Sequence, residues 1–118
     1  MDKPKPPRTV ERMRKPAVSS AFEIEITDDA ADQLKDLEAG ERAALLLAVW
    51  AQLQHQPTVE TRNRKRMRPN PLAAWVLRVG KLRVYYEVSE PEVLVTIRAI
   101  GIKDRNRVTI GGVEVDLS

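Results

Sequence analysis

The sequence predicts an α+β fold: a first strand, a hairpin of two helices, and then an antiparallel sheet of three to four strands. Three observations predict it. Apolar residues alternate with a period of two at the start of the ordered chain, recur with a helical period over residues 27–54, and return to alternation over residues 73–100, where two turn sequences interrupt them. Helices grouped early and strands late favour two layers, with the helices on one face of the sheet.

The first strand is Phe22-Glu23-Ile24-Glu25-Ile26, whose strict alternation marks one buried face. Thr27 is a suitable N-cap, and Asp28 and Asp29 occupy the first turn, where the helix dipole favours negative charge. Ala30, Ala31, Leu34 and Leu37 form the apolar stripe of a short helix expected to end near Ala39-Gly40, with Gly40 as a left-handed C-cap. A second helix is expected from Glu41 to about Gln54. It is apolar all round over residues 43–51, the pattern of a helix touched on several sides. His55 follows at its end, where contact with the helix dipole accounts for it.

Residues 62–68 hold five cations, Arg62, Arg64, Lys65, Arg66 and Arg68, and with Pro69 and Pro71 behind them they are expected to form a loop. Strands over residues 73–79 and 82–88 are joined by Gly80-Lys81, with glycine where a type II′ turn needs it. A second turn, Ser89-Glu90-Pro91-Glu92, leads into a third strand from Val93 to about Ile100. Beyond Gly101, the run from Val108 to Ile110 and the Gly111-Gly112 turn suggest a small hairpin or an edge strand.

At 118 residues the chain has the length of one domain. It has no cysteine and a single histidine, which excludes disulfides, thiolate sites, thiol catalysis and any multi-histidine metal site; no metal or cofactor is assigned. The longest apolar run is nine residues, far below the roughly 20 of a membrane-spanning helix, and a cytoplasmic protein without a membrane partner is expected. Residues 1–20 hold four of the eight prolines among six Lys/Arg and read as a disordered basic arm, either a loose tether to nucleic acid or an inert extension, ahead of one domain over residues 21–118. The formal net charge of +3 hides a strong asymmetry. Residues 21–60 carry two Lys/Arg against nine Asp/Glu, and residues 61–110 carry twelve against four.

A register follows from the turns. With Gly80-Lys81 as the turn, Val79 faces Leu82, Leu77 faces Val84, Trp75 faces Tyr86 and Ala73 faces Val88, an apolar core face. With Val88 facing Val93, the second hairpin extends that face through Tyr86 and Val95, Val84 and Ile97, and Leu82 and Ala99. The other face is then expected to carry Arg78, Arg83 and Arg98 in one row, with Tyr85 and Thr96 next to it. Like charges opposite each other on a sheet are unfavourable, so the row points to a bound anion or an acidic partner; the alternatives are neutralisation by Glu87 and Glu25, or long side chains that splay into water. The loop cations Arg64, Lys65 and Arg66 and the later Lys103, Arg105 and Arg107 are expected to join it in a surface matched to a phosphate backbone. Trp75 is assigned to the core. Tyr85 is available to stack on a base or to donate a proton.

The hairpin Trp75-Val76-Leu77-Arg78-Val79-Gly80-Lys81-Leu82-Arg83-Val84-Tyr85-Tyr86-Glu87-Val88 and the late segment from Ile97 to Arg107 resemble the toxins of type II toxin–antitoxin modules in the RelE/ParE superfamily. The likeness runs from Phe22 to about Ile110. It implies a toxin held inactive by a cognate antitoxin. In RelE-type members it implies metal-independent cleavage of ribosome-bound mRNA, in which the 2′-hydroxyl attacks the neighbouring phosphate. In ParE-type members it implies inhibition of DNA gyrase without catalysis, and an inactive binding module on the same scaffold is a third possibility. On the RelE-type pattern, Arg83 falls on the arginine that contacts the scissile phosphate and Lys103 on a second active-site arginine, whose cation it keeps and whose bidentate geometry it lacks. Tyr85 is the nearby phenol, and Arg78 and Arg98 are further phosphate-binding cations. Thr109 stands about where a catalytic tyrosine is found, and Ala74 and Val76 stand where lysines are, so with Lys103 the chain departs from that pattern at four positions.

Overall fold

Strands β1 (Glu23–Ile26), β2 (Arg64–Arg66), β3 (Trp75–Val79), β4 (Leu82–Ser89), β5 (Leu94–Asp104), β6 (Arg107–Ile110) and β7 (Val113–Val115) form one sheet that carries helices α1 (Asp28–Lys35) and α2 (Ala39–Leu53). The computed structural model describes residues 21–116. The basic arm of residues 1–20 lies outside the described residues, as do Leu117 and Ser118. The strand order is β2-β3-β4-β5-β6-β7; β1 pairs in parallel with β5, beside the stretch that β6 leaves uncovered.

The expected α+β architecture is present, with a sheet extended at both edges. The residues expected to form a basic loop include β2, an antiparallel partner of β3. The Gly111-Gly112 turn, both residues at positive φ, closes a β6–β7 hairpin.

Thr27 caps α1: its hydroxyl accepts the Ala30 amide N–H at 3.2 Å, and Asp28 and Asp29 follow in the first turn. The helix stops earlier than expected. Asp36 closes it in an ordinary right-handed conformation, the Asp36 and Leu37 amides bond back to Gln33 and Leu34, and buried Leu37 anchors the corner. Gly40 is therefore not a C-cap and lies in the first turn of α2, whose N-cap is Glu38.

The main core is built from Ala30, Leu37, Leu45, Val49 and Leu53 of the helical layer, packed on Trp75, Leu77, Leu82, Val84, Tyr86, Val95, Ile97 and Ile100 of the sheet. Trp75 and Tyr86 stack with ring centroids 6.2 Å apart, and the buried Tyr86 hydroxyl donates to the Pro57 carbonyl at 2.6 Å. Contrary to the expectation from its all-round apolar middle, α2 is buried on one side only. Leu45, Val49 and Leu53 point inward, whereas Leu47 and Trp50 are exposed.

The first hairpin has the expected register over β3, Trp75 with Tyr86, Leu77 with Val84 and Val79 with Leu82, and Gly80 sits at φ +59° in its turn; Ala73, expected opposite Val88 on the core face, precedes β3 and packs with Tyr85 and Ala99 instead. The second does not. Its loop is residues 90–93, so Ser89 pairs with Leu94, Val88 with Val95 and Tyr86 with Ile97, a two-residue displacement that keeps the side chains of residues 94–97 on their expected faces. A β-bulge follows: after Tyr86 and Ile97 the next pair is Tyr85 with Ala99, then Val84 with Ile100 and Arg83 with Gly101. Beyond Arg98 the faces of β5 are exchanged, so Ile100 enters the core and Ala99 and Gly101 move to the opposite side.

The bulge lies where neither β1 nor β6 pairs with β5. There α1 takes over the hydrogen bonding: the Thr27 amide donates to the Ile97 carbonyl at 3.1 Å, its hydroxyl donates to the Arg98 carbonyl at 3.4 Å, and Gln33 Oε1 accepts the Ile100 amide at 2.8 Å. A second small apolar cluster of Ala73, Tyr85 and Ala99, flanked by Met67, Leu72, Val76, Val108 and Ile110, occupies the sheet face away from the helices.

Candidate functional site

The sheet face away from the helices brings together Arg78, Arg83 and Lys103. Arg78 pairs directly with Arg83 across the β3–β4 hairpin, Arg83 pairs with Gly101 of β5, and Lys103 lies two residues beyond Gly101 on that face. Lys65 joins them through its pairing with Val76, two residues before Arg78 on β3. Among the described residues none of these four cations lies within ion-pair distance of a carboxylate.

The expected row of three arginines is corrected by the bulge. Arg98 does not stand beside Arg83; Gly101 does, and Arg98 falls at the bulge, between Ile97 and Ala99, outside the register and exposed. Glu87, Thr96 and Glu25 form the rung beyond Tyr85. The acidic residues named as alternative neutralisers therefore lie two rungs from Arg83, and the face is acidic at one end and cationic at the other.

The Arg83 guanidinium turns back on the hairpin, with Nη1 donating to the Gly80 carbonyl at 2.7 Å and the Leu82 carbonyl at 2.9 Å. Its pKa is lowered from the ordinary arginine value by partial burial first and by the Arg78 charge second, with Tyr85 acting in the opposite sense. An arginine remains charged under such a shift, and two cations held face to face are best relieved by an anion placed between them.

Tyr85 does not stack on a base, because its ring is buried at 3% exposure in the second apolar cluster. Burial raises the phenol's pKa, with Arg83 opposing, so Tyr85 keeps its proton at neutral pH. Gly101 makes room for that ring: a Cβ there would lie 3.0 Å from Tyr85 Cε2 and 3.0 Å from Val108 Cγ1. Sequence reasoning missed this glycine, although an isolated glycine inside a strand is a known signal of a bulge or a close approach.

Arg64 is withdrawn from the surface altogether. It is 6% exposed, and it donates through Nε to the Val59 carbonyl at 2.9 Å and through Nη1 to the Gln52 carbonyl at 2.7 Å. Its pairing with Leu77 turns it to the helix side, where it ties the end of α2 to the following loop. Arg66 pairs with Trp75 and lies over its ring, 5.6 Å from the centroid, so it too leaves the cationic face. Arg107 alternates with Val108 to the helix side, its Nε 4.0 Å from Glu114 Oε2, and Arg105 occupies the exposed β5–β6 turn at φ +61°. Thr109 pairs with Ile102 and faces the helices, leaving Val108 and Ile110 as the β6 residues beside the site.

This arrangement defines a small α+β protein whose helices close one face of an antiparallel sheet and whose other face presents a cationic cluster beside a buried tyrosine. No family model matches the sequence, and no curated protein matches it. Among solved structures, a chain of the toxin–antitoxin complex RelBE2 from Mycobacterium tuberculosis is similar, with a TM-score of 0.62 at 20% identity, covering 70% of this chain and 92% of that one. The likeness establishes a RelE-like fold. Among the described residues no helix is long and apolar enough to cross a membrane.

Proposed function

We propose that this chain is the toxin of a type II toxin–antitoxin pair, acting as a RelE-like, metal-independent endoribonuclease on ribosome-bound mRNA in the cytoplasm and neutralised by a cognate antitoxin. The observation that carries the proposal is the convergence of Arg78, Arg83 and Lys103 on one face of a RelE-like sheet. Three cations with no carboxylate within ion-pair distance among the described residues suit the phosphate over which charge develops when a 2′-hydroxyl attacks it. Arg83 is assigned the scissile phosphate, Arg78 and Lys103 the flanking charge, and Lys65, Arg98 and Arg105 the more distant backbone. Tyr85, buried and protonated two residues from Arg83 on the same face of β4, is assigned a role in shaping the floor of the site rather than in proton transfer.

A second reading, ParE-like inhibition of DNA gyrase, is favoured by one observation: no exposed phenol lies at the site, since Tyr85 is buried and Thr109 faces the other way. One experiment separates the two. The purified protein is added to ribosomes stalled on a defined mRNA and, in parallel, to a gyrase supercoiling reaction. Cleavage of the mRNA that Arg83→Ala abolishes supports the first reading; intact mRNA with blocked supercoiling replaces it with the second.

A further inference from the structure

Helix α2 carries an apolar stripe on the side away from the core. Leu47 is 72% exposed and Trp50 50% exposed, and Ala43 and Ala51 are exposed with them. These positions follow the spacing of one helix face, so they form a continuous strip opposite the buried Leu45, Val49 and Leu53. An apolar strip containing a tryptophan marks a surface that something covers.

Two features point to the occupant. The Phe22 amide donates to the Gln54 carbonyl at 2.6 Å, so the chain enters the fold at the C-terminal end of α2, about one turn from Trp50. The fifteen residues of α2 span about 22 Å at the helical rise. An extended segment covers that length in about seven residues, well within the twenty that precede Ala21. The charges also match: residues 28–42 hold six Asp/Glu against two Lys/Arg, and residues 1–20 hold six Lys/Arg against two Asp/Glu.

We propose that residues 1–20 of this chain dock along the outer stripe of α2, running parallel to it. Val18 and Ala17 then meet Trp50 and Leu47 respectively, and Lys15, Arg14 and Arg12 reach the N-terminal end of the helix, where Asp36 and Glu38 are exposed. Tethering makes weak contacts sufficient, because a short linker presents the segment at an effective concentration of order millimolar. The docked arm competes with any partner that uses α2. The inference is independent of the function assigned to the cationic face.

The chain has no cysteine, so Met13→Cys places a nitroxide at one site of the full-length protein. Paramagnetic broadening is expected at the amides of Glu38 and Gly40. It is expected to vanish when Leu47→Asp and Trp50→Gln are introduced together, two exposed substitutions whose effect on folding is checked by the melting temperature, and to be absent when label and isotope are on different molecules. Broadening that persists in the double variant, that centres on residues 78–87, or that appears between molecules overturns the proposal; the last outcome assigns the stripe to a second copy.

Discussion

Gly101 stands against the ring of Tyr85, with a Cβ position only 3.0 Å from Cε2 and a second wall, Val108 Cγ1, equally close. Its φ lies outside the left-handed region, so the reason for glycine is packing alone. Gly101→Ala is expected to destabilise the fold by about 1–3 kcal/mol, the usual cost of overpacking a filled site. Urea unfolding measures it. Because Arg83 pairs with Gly101, the substitution is also expected to lower the mRNA cleavage proposed for this chain, per folded molecule.

Arg64 spends its guanidinium on two carbonyls, Gln52 and Val59, in a site 6% exposed. Arg64→Ala leaves those acceptors buried without donors and is expected to cost about 2–4 kcal/mol. Arg64→Lys is expected to recover little, since an ammonium cannot reproduce a planar fork aimed in two directions. The midpoint of urea unfolding should fall in both variants, while RNA affinity of the folded fraction stays unchanged.

Both tyrosines of the chain are buried, and burial raises both pKa values, with Arg83 opposing at Tyr85 and Arg64 opposing at Tyr86. A phenol whose folded pKa exceeds its unfolded value contributes stability that is complete below about pH 10, the unfolded value, and is lost as the pH rises through the folded one. Absorbance at 295 nm is therefore expected to show no tyrosinate in the native protein up to about pH 10, and then to rise together with loss of far-UV circular dichroism. Ionisation of either tyrosine at its ordinary pKa in an intact fold would contradict the buried placement. Tyr86→Phe, which removes the hydrogen bond to Pro57, is expected to cost about 1 kcal/mol at neutral pH.

Arg78, Arg83 and Lys103 share the face assigned to phosphate, whereas Arg66 and Arg107 do not. Single alanine substitutions at the first three are expected to reduce the salt dependence of RNA binding by about one counterion each, and those at Arg66 and Arg107 to leave it unchanged. Filter binding across a series of salt concentrations reads the slopes. Equal slopes for all five variants would sink the assignment of the face.

Much of the fold is legible in the chain itself because it depends on short-range rules. Alternation marks β1, β3 and β4, Thr27 caps α1, and Gly80 sets a turn whose geometry forces Arg78 against Arg83. The second hairpin shows where such rules stop. A displacement of two residues returns every apolar side chain to an apolar partner, so pairing Val88 with Val93 or with Val95 satisfies the pattern equally, and only the loop geometry of residues 90–93 selects the latter.

Sequence by itself determined the class of fold, the core face of the first hairpin and the concentration of cations after residue 60. Tertiary structure alone decided which cations share a face. The bulge at Arg98 depends on Thr27 and Gln33, about seventy residues away, satisfying a strand edge that β1 and β6 leave unpaired. That contact replaces Arg98 with Gly101 beside Arg83 and brings Lys103 onto the same side. Likewise Arg64 is withdrawn because β2 pairs it toward the end of α2, and Tyr85 is buried by Met67, Leu72, Val108 and Ile110. Each outcome rests on groups distant in sequence competing for one hydrogen bond or one volume, and local periodicity carries no information about that competition.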